Sequence, residues 1–344
     1  MRTGEGLTSI DLTTAVIYCL IFGLGIIGNG LVIYVTGFRM KKTVNSVWFL
    51  NLALADFLFT AFLIFQIISV FQGFWPFGQL MCKLSSFVTA INMFASIFLL
   101  VGISFDRCLS IWVVVWAQNH RTICKTQLIC AAIWLISVGC SVPNTIFREV
   151  LPYKGKTVCA YSPQWGRDKP KILIIVRFIL GFLIPFLIIF AAYIAIGVRA
   201  QRIQRMKKRR PFRIIFIILA FFVCWLPFHV FQLLEITRGS NMTIKIGGRL
   251  AVSLAFFNSS LNPLLYVFMC DEFQKKIKQS LYLVLEHAFA EDLVSFGSSR
   301  YFSRGTQRSD SVAPVERKDR KTSSESTGFT AEGSDDKETR GDDL

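Results

Sequence analysis

A carboxylate and a guanidinium stand side by side at Asp106 and Arg107, directly after an uncharged run from Leu84 to Phe105. An apolar run of that length can span a membrane as a helix, so the pair lies where hydrocarbon gives way to water. Charged groups at such a position are expensive to desolvate and often have a function. The pair alone is also compatible with an ordinary interfacial ion pair, so both interpretations stay open at this point.

Asp56 is a second carboxylate in apolar surroundings and the one charge in the run from 46 to 70. A carboxylate deep in a membrane needs a proton, a cation or a polar partner. The candidate partners lie deep in other runs and are Asn29, Asn92, Ser96, Asn258, Ser259 and Asn262. Their oxygens suit either a hydrogen-bonded polar network or a Na⁺ site, because hard oxygen ligands match such a cation.

Arg177 is an isolated cation near one end of the fifth apolar run. Such a side chain either snorkels to the membrane surface or faces a cavity and holds an anion through its planar fork. The segment before it, from Phe147 to Lys171, carries six basic residues and two acidic ones. This excess of positive charge favours an acidic ligand.

A membrane-embedded bundle is needed to position these groups. Only 17% of the 344 residues are charged, whereas soluble domains carry about 25%, and the mean hydropathy is +0.50. Seven runs are long enough to span a membrane as helices, which satisfy their own backbone hydrogen bonds in lipid. They cover 14–37, 46–70, 80–110, 125–146, 171–200, 211–235 and 245–269. The sequence therefore predicts an all-α membrane protein, a seven-transmembrane helix bundle over 14–269 preceded by an extracellular segment, 1–13.

Lys and Arg concentrate in the loops on one side of the predicted bundle, which the positive-inside rule makes cytoplasmic. The N-terminus is then extracellular and the C-terminus cytoplasmic, as in a multi-pass protein of the plasma membrane. Apolar residues at Phe273, Ile277 and Leu281, with lysines between them, predict an amphipathic helix over 271–285 on the lipid bilayer. The polar remainder, 286–344, is predicted to be a disordered tail. The net charge of +16 follows from this topology, so no nucleic-acid partner is expected.

The remaining chemistry of the sequence narrows the function classes. Among nine cysteines, Cys82 and Cys159 lie in loop-like sequence and are the candidates for a disulfide. Asn241 begins an accessible glycosylation sequon. No cysteine–histidine spacing suggests a metal site, and no nucleophile–base set suggests an enzyme. A retinal protein is excluded because 250–269 lacks a lysine, and the absence of paired repeats disfavours a transporter.

A set of motifs, one or more in each run and in a fixed order, points to a family. They are Gly28-Asn29, Leu52-Ala53-Leu54-Ala55-Asp56, Cys82 with Asp106-Arg107-Cys108, Trp134, Pro185 with Tyr193, Cys224-Trp225-Leu226-Pro227 and Asn262-Pro263-Leu264-Leu265-Tyr266. Over 14–281 the chain resembles rhodopsin-like (class A) G-protein-coupled receptors. Lys41-Lys42-Thr43-Val44-Asn45, Gln118-Asn119-His120-Arg121 and Asp271-Glu272-Phe273 are similar to the chemoattractant branch, which includes the formyl-peptide receptors and the chemerin receptors, and resemble the chemerin receptors most.

The resemblance implies a receptor for an extracellular chemoattractant-type peptide or small protein, chemerin-like, in which Arg177 pairs with a ligand carboxylate. The other implied ligand-binding residues are Gln66, Trp225, Phe228, His229, Gln232, Glu235 and Arg249. A lone histidine on an apolar helix is more often a packing residue, so both roles stay open for His229. Cys82 and Cys159 would form the extracellular disulfide.

The resemblance also implies a switch in which Asp106 holds Arg107 at rest. The other implied members of the switch are Tyr193, Phe221, Val115 and Tyr266. Asp56, Asn92, Ser96, Asn258 and Asn262 would form an allosteric Na⁺ site, with no other cofactor. The implied partners are a heterotrimeric G protein of the inhibitory class, and receptor kinases and arrestin at the tail.

Several residues depart from the family pattern. Cys108 replaces the usual Tyr, and Val114 stands where most members have Pro. Lys207 or Lys208 occupies the region where some receptors place a Glu that pairs with the Arg of the switch. Thr89-Ala90-Ile91 lacks the acidic residue of the formyl-peptide receptors. Two alternatives stay open. An acidic lipid mediator of the same branch would also suit Arg177 through its carboxylate, and Val114 leaves open an atypical scavenger receptor that does not couple to G proteins.

Overall fold

The computed structural model describes residues 8–153, 155–166, 168–202, 209–239 and 241–269. The described helices are α1 (Ser9–Tyr34), α2 (Val44–Gln72), α3 (Gly78–Trp112), α4 (Val114–His120), α5 (Ile123–Ile146), α6 (Asp168–Phe178), α7 (Ile184–Arg202), α8 (Arg209–Arg238) and α9 (Met242–Met269). Strands β1 (Arg148–Tyr153) and β2 (Lys156–Tyr161) form an antiparallel hairpin between α5 and α6. The predicted amphipathic helix 271–285 and tail 286–344 lie outside the described residues, as do Lys207 and Lys208.

The helix ends follow local capping chemistry. Thr8 caps α1 by accepting a hydrogen bond from the backbone N–H of Asp11, so α1 begins at Ser9, earlier than the apolar run at Thr14 predicts. Thr43 forms a capping box with Ser46 at the start of α2. Gly73, with a left-handed φ of 67°, ends α2 and needs no Cβ in that conformation. Polar residues at the edges of the apolar runs thus set where the helices start and stop.

Two π-helical turns interrupt the transmembrane segments. Val35–Arg39 continues α1, and Ile179–Leu183 joins α6 to α7. The second turn begins two residues after Arg177 and ends two residues before Pro185, which is the second residue of α7. A π-turn accommodates an extra residue and rotates the side chains that follow. The predicted fifth span is therefore a helix in two parts, whereas Pro143, Pro227 and Pro263 lie inside continuous helices.

Seven long helical segments form the bundle, as predicted. Six of them are long and apolar enough to cross a membrane by composition: 9–39, 44–72, 78–112, 123–146, 171–199 and 218–238. The seventh is α9, whose 28 residues reach about 42 Å at 1.5 Å per residue. It contributes buried polar groups such as Ser259 and Asn262 to the interior.

Helix α3 occupies the centre of the bundle, packed against α2, α5 and α7, while α9 packs between α1 and α8. The core around α3 includes Phe94, Ile97 and Leu100, which contact buried aromatic residues of other helices such as Phe182 and Phe221. This central, mostly buried helix carries site residues of both ends of the bundle. Asp106 and Arg107 are at its C-terminal end, and Cys82 is near its N-terminal end.

Gly102 marks a close contact between α3 and α2. A Cβ added there would lie 2.7 Å from Cη2 of the buried Trp48 indole. We expect Gly102→Ala to destabilise the bundle, because overpacking against a rigid ring costs about 1–3 kcal/mol and outweighs the roughly 1 kcal/mol gained in helix propensity. Thermal unfolding of the detergent-solubilised protein measures this. Gly139→Ala is the control, since nothing lies within 4 Å of that added Cβ; equal melting temperatures for the two variants would contradict the packing account.

Candidate functional site

A cavity of about 740 Å³ opens at the end of the bundle that carries the hairpin, here called the hairpin end. Its walls come from α1, α2, α3, α5, α6, α8 and α9 and from the two strands. Six of the eight sequence-predicted ligand residues line it: Gln66, Arg177, Trp225, Phe228, Gln232 and Arg249. Binding pockets are commonly concave and combine apolar walls with polar groups that orient the ligand, and this cavity contains both kinds of residue.

The hairpin is tied to the helices by several bonds. The predicted disulfide is formed: Cys82 of α3 is bonded to Cys159 of β2, with the Cα atoms 5.6 Å apart. The backbone N–H of Trp75 donates to the carbonyl of Thr157 at 2.7 Å, and the Thr157 hydroxyl donates to the carbonyl of Trp75 at 2.7 Å. The side chain of Gln79 accepts from the backbone of Val150 at 2.8 Å and donates to the carbonyl of Arg148 at 3.0 Å. Both strands are therefore held against the mouth of the cavity.

Arg177 lies on the cavity wall, as the anion-binding interpretation requires. Its guanidinium donates a hydrogen bond to Oε1 of Gln232 on α8, and its Cζ lies 5.0 Å from the ring centroid of Phe228. The amide and the aromatic face orient the cation without neutralising it. The guanidinium therefore keeps its charge for a ligand.

Arg148 is a second cation of this site that the sequence analysis did not single out. Its Cζ lies 4.1 Å from the ring centroid of Tyr161, and its Nη1 donates to the carbonyl of Cys159 at 3.4 Å. Burial raises the pKa of the Tyr161 hydroxyl, but the positive charges of Arg148 and Arg177 outweigh this and leave the pKa below its usual value. Both guanidinium groups are therefore close enough to the Tyr161 hydroxyl to interact with it. In the sequence, Arg148 could be recognised only as one of the basic residues in the segment before Arg177.

Two predicted ligand residues are not brought to the cavity. Glu235 is exposed, one turn beyond Gln232 on α8. His229 is only 1% exposed and packs against Phe178, Phe182 and Phe228 with ring-centroid separations of 5.7, 5.0 and 5.2 Å. The structure thus places His229 behind the cavity wall, in the packing role that was the alternative for it.

Trp225 forms part of the cavity floor and also belongs to the core beneath it. Its ring lies 5.8 Å from that of Phe221, which in turn lies 5.5 Å from that of Phe222. Phe221 is buried in the same core as Ile97. A ligand that displaces Trp225 would therefore press on a continuous cluster of aromatic rings.

Asp56 is fully buried at the centre of a polar network, midway between the two ends of α2. Its Oδ1 accepts from the amide of Asn92 at 2.9 Å and its Oδ2 from the amide of Asn262 at 2.5 Å. The hydroxyl of Ser259 donates to Oδ1 of Asn92 at 3.2 Å. The structure therefore joins α2, α3 and α9 through one carboxylate.

Two oxygens of the predicted cation site have no hydrogen-bond partner among the described residues. They are Oγ of Ser96 and Oδ1 of Asn258, and both residues are buried. A buried oxygen without a donor is destabilising unless water or a cation satisfies it. The donor set of carboxylate, hydroxyl and amide oxygens is the type that hard cations prefer.

At the other end of α3, here called the Arg107 end, Asp106 has an unexpected partner. Arg121, in the loop between α4 and α5, binds it with Nε to Oδ1 at 2.7 Å and Nη2 to Oδ2 at 2.8 Å. Arg107 donates from Nη2 to Oδ1 of Asn45 at 2.7 Å, and Arg121 donates to the same oxygen at 2.6 Å. The expected resting contact between Asp106 and Arg107 is therefore corrected: the ion pair that the structure records is Asp106–Arg121. The correction arises because Arg121 lies where a bidentate fork can reach the carboxylate.

The other predicted residues of the switch are placed as follows. Val115 of α4 is 72% exposed and Val114 beside it is also exposed. Tyr193 of α7 is half-buried and packs against the core that contains Phe221. Only a backbone position in α9 is described for Tyr266. Asn241 is exposed and caps α9 by accepting from the backbone N–H of Ile244 at 2.8 Å, and its glycosylation stays a prediction.

Comparison with known proteins agrees with this architecture. Residues 28–266 match the family "7 transmembrane receptor (rhodopsin family)". The chain is 43% identical to the human "Chemerin-like receptor 1" over 298 residues, 80% of each chain. It is 40% identical to the "C3a anaphylatoxin chemotactic receptor" of Oncorhynchus mykiss over 316 residues, 89% of this chain and 86% of the relative. It is 38% identical to the "fMet-Leu-Phe receptor" of Macaca mulatta over 308 residues, 83% of this chain and 89% of the relative. The chain belongs to the rhodopsin family of seven-transmembrane receptors, among the chemoattractant receptors, and is a signalling receptor and not an enzyme.

Proposed function

We propose that this receptor binds an extracellular chemoattractant peptide or small protein, chemerin-like, whose terminal carboxylate enters the cavity and pairs with Arg177. The observation that carries the proposal is the placement of Arg177 on the cavity wall, held by Gln232 and Phe228 but without an acidic partner among the described residues. Planar guanidinium groups bind carboxylates with two parallel hydrogen bonds.

Arg148 strengthens this anion site, because it shares Tyr161 with Arg177. Lys156, at the start of β2, adds a third positive charge to the cavity. Positive charge focused by low-dielectric walls raises the local concentration of anionic ligands and their association rate. The walls beside these cations are apolar and aromatic, including Met93, Phe228 and Phe256, which suits the side chains next to a peptide's C-terminus.

The hairpin end is proposed to face the outside of the cell, in the plasma membrane. It carries the Cys82–Cys159 disulfide, and disulfides persist in oxidising compartments. The loops at the Arg107 end carry Arg39, Lys41, Lys42, Arg121 and Lys125, as expected for the cytoplasmic side. Ligand and transducer then bind at opposite ends of α3.

The Arg107 end is proposed to receive a G protein of the inhibitory class and, after phosphorylation by receptor kinases, arrestin. The exposed side chains of Val114 and Val115 offer an apolar contact beside the network of Asp106, Arg107 and Arg121. A ligand in the cavity acts on this end only through its different affinity for two states of the bundle. The presence of the Asp106-Arg107 sequence motif favours signalling over the scavenger alternative.

An acidic lipid mediator is the second candidate ligand. The apolar walls beside Arg177 favour it, since a fatty acid would place its carboxylate at the guanidinium and its chain against Val252 and Phe256. The two candidates differ in the number of polar groups that the ligand presents to the hairpin, so they can be separated by direct comparison of affinities.

Binding to the detergent-solubilised receptor tests the proposal. The probes are a synthetic peptide with the C-terminal sequence of chemerin, its C-terminal carboxamide, and a long-chain fatty acid. The proposal expects the carboxylate peptide to bind at least about tenfold more tightly than the carboxamide, since a charge-assisted hydrogen bond contributes about 1.5–3 kcal/mol. Equal affinities for the two peptides would overturn the carboxylate assignment, and saturable binding of the fatty acid alone would favour the second candidate.

The Asp56 network is proposed to hold an allosteric Na⁺ ion when the receptor is at rest. Asp56 supplies the negative charge, and Ser96, Asn92, Asn258 and Asn262 supply neutral oxygens. The unpartnered oxygens of Ser96 and Asn258 support the proposal, because a cation would satisfy both. Such an ion would tie α2, α3 and α9 together and oppose rearrangements that a bound agonist requires.

The expected consequence is that sodium weakens agonist binding and that Asp56→Asn abolishes this effect. Coupling between two sites is reciprocal and is typically about 1–3 kcal/mol, so we expect a several-fold shift in wild-type affinity. Peptide affinity is measured with sodium replaced by N-methylglucamine at constant ionic strength. Asp168→Asn, which removes an exposed carboxylate far from the network, should keep the wild-type response. Equal sodium responses of Asp56→Asn and wild type would refute the site.

A further inference from the structure

The charges of the cavity are divided unevenly between its two sides. The charged lining residues are Asp11, Arg148, Lys156, Arg177 and Arg249, so Asp11 is the one acid among the described residues that line it. Arg148 and Lys156 belong to the hairpin and Arg177 to α6, whereas Asp11 and Arg249 belong to α1 and α9. The side formed by α1 and α9, here called the α1–α9 corner, therefore contains one charge of each sign.

Asp11 neutralises Arg249 directly. Its Oδ1 accepts a hydrogen bond from Nη1 of Arg249 at 2.7 Å, and its Oδ2 accepts one from the hydroxyl of Thr8 at 2.6 Å. Asp11 lies in the first turn of α1, where the positive end of the helix also favours a carboxylate. The carboxylate is thus held in place from its own helix while it occupies the guanidinium of another.

The ion pair is accessible to a ligand. The side chains of Arg249 and Asp11 are 57% and 32% exposed, and pairs of this kind contribute little to stability. A ligand anion could therefore reach Arg249, but there it meets a carboxylate that the receptor itself supplies and that repels it. The other polar groups at this corner, Thr14 and Tyr18, are uncharged.

We infer that Asp11 is a specificity-determining residue: it occupies Arg249, so that the cavity accepts one ligand carboxylate at Arg148 and Arg177 and rejects a second at the α1–α9 corner. The inference rests on the proposed ligand site and deepens it. Discrimination by a repulsive group is as effective as discrimination by an attractive one. Removal of the Asp11 charge leaves Arg249 as a second anion subsite, so the preferred ligand changes from a monoanion to a dianion.

Matched peptides test this on the full-length receptor. The probes are chemerin C-terminal peptides of increasing length, each with a free C-terminal carboxylate and with either an acetyl or a succinyl group at the N-terminus. Succinylation adds one carboxylate at the N-terminus, whereas the C-terminal carboxylate is the one proposed to pair with Arg177. Because the peptides differ in length, the N-terminal carboxylate lies at a different distance from Arg177 in each of them. Affinities are measured for wild type, Asp11→Asn, Asp11→Asn with Arg249→Gln, and the control Glu149→Gln, which removes an acid of the same end that does not line the cavity.

The expected result is a change in the ratio of succinyl to acetyl affinity. Wild type and Glu149→Gln bind the acetyl peptides at least as well as the succinyl peptides at every length. Asp11→Asn binds the succinyl form about tenfold more tightly at the length that reaches Arg249, as one charge-assisted hydrogen bond allows, and Arg249→Gln in the same chain removes the gain. If the ratio in Asp11→Asn equals that of wild type at every length, the inference is overturned. Loss of the preference for a C-terminal carboxylate over a carboxamide in wild type would instead overturn the proposed function.

Discussion

Arg177→Gln is expected to lower the affinity of a carboxylate-ended peptide agonist roughly 100-fold, or about 2.7 kcal/mol. The reason is that Arg177 carries a positive charge in the cavity wall, where Gln232 and Phe228 orient the guanidinium without cancelling its charge. Glutamine keeps a polar donor and much of the side-chain volume, so the loss reports the charge and the fork geometry. The same substitution should leave the affinity of the C-terminal carboxamide nearly unchanged.

Lys171→Gln is the matched control, because it removes a positive charge from the same helix at an exposed position that pairs with Asp168 at 3.3 Å. Radioligand competition on membranes measures both variants against wild type, with cell-surface expression checked by an epitope tag. If Arg177→Gln weakened the carboxylate and carboxamide peptides equally, Arg177 would be a packing residue and not the anion partner.

Arg121→Gln is expected to raise agonist-independent signalling by about tenfold. Arg121 holds both oxygens of Asp106 and also binds Asn45, so it connects the end of α3 with the start of α2 and with the loop before α5. The Asp106 and Arg121 side chains are only 12% and 26% exposed, so this ion pair is screened less by water and contributes more free energy than a fully exposed pair. Loss of about 1–2 kcal/mol from the state that contains this pair shifts a two-state equilibrium roughly tenfold.

Inhibition of forskolin-stimulated cAMP without added ligand measures this basal activity, normalised to the amount of receptor at the surface. Arg39→Gln is the control: it removes a cation of the same end whose described partner is Tyr34, at 2.8 Å. Basal activity of Arg121→Gln at the level of wild type and Arg39→Gln would show that the Asp106–Arg121 pair does not restrain the receptor.

The sequence was sufficient for the membrane architecture and for six of the residues that line the cavity. Apolar run length predicted the long helices, since only a helix satisfies the hydrogen bonds of a lipid-embedded backbone. The caps at Thr8 and Thr43 explain why α1 and α2 begin a few residues earlier than predicted. Arg177 stood out because a cation in an apolar run is rare. The pairing of Cys82 with Cys159 followed from their loop positions and from the family resemblance.

What the sequence did not provide are contacts between segments far apart in the chain. Arg148 looked like one of several basic loop residues, because the β1–β2 hairpin that carries it to Tyr161 is recognised only once the strands are paired. The family resemblance implied Arg107 as the partner of Asp106, yet on a helix consecutive side chains point in different directions. Arg121 reaches the carboxylate from another segment. His229 was ambiguous for the same reason, since periodicity does not distinguish a helix face behind a cavity wall from the wall itself.

The central claim is that this receptor recognises a carboxylate-ended chemoattractant peptide and signals through an inhibitory G protein. It is tested most directly by measuring cAMP in cells that express the full chain, on exposure to chemerin C-terminal peptides, formyl peptides and eicosanoid acids. The account predicts that the chemerin peptide lowers forskolin-stimulated cAMP at lower concentration than the other two and that its carboxamide is much weaker. Silence towards all three, with receptor present at the cell surface, would contradict the account.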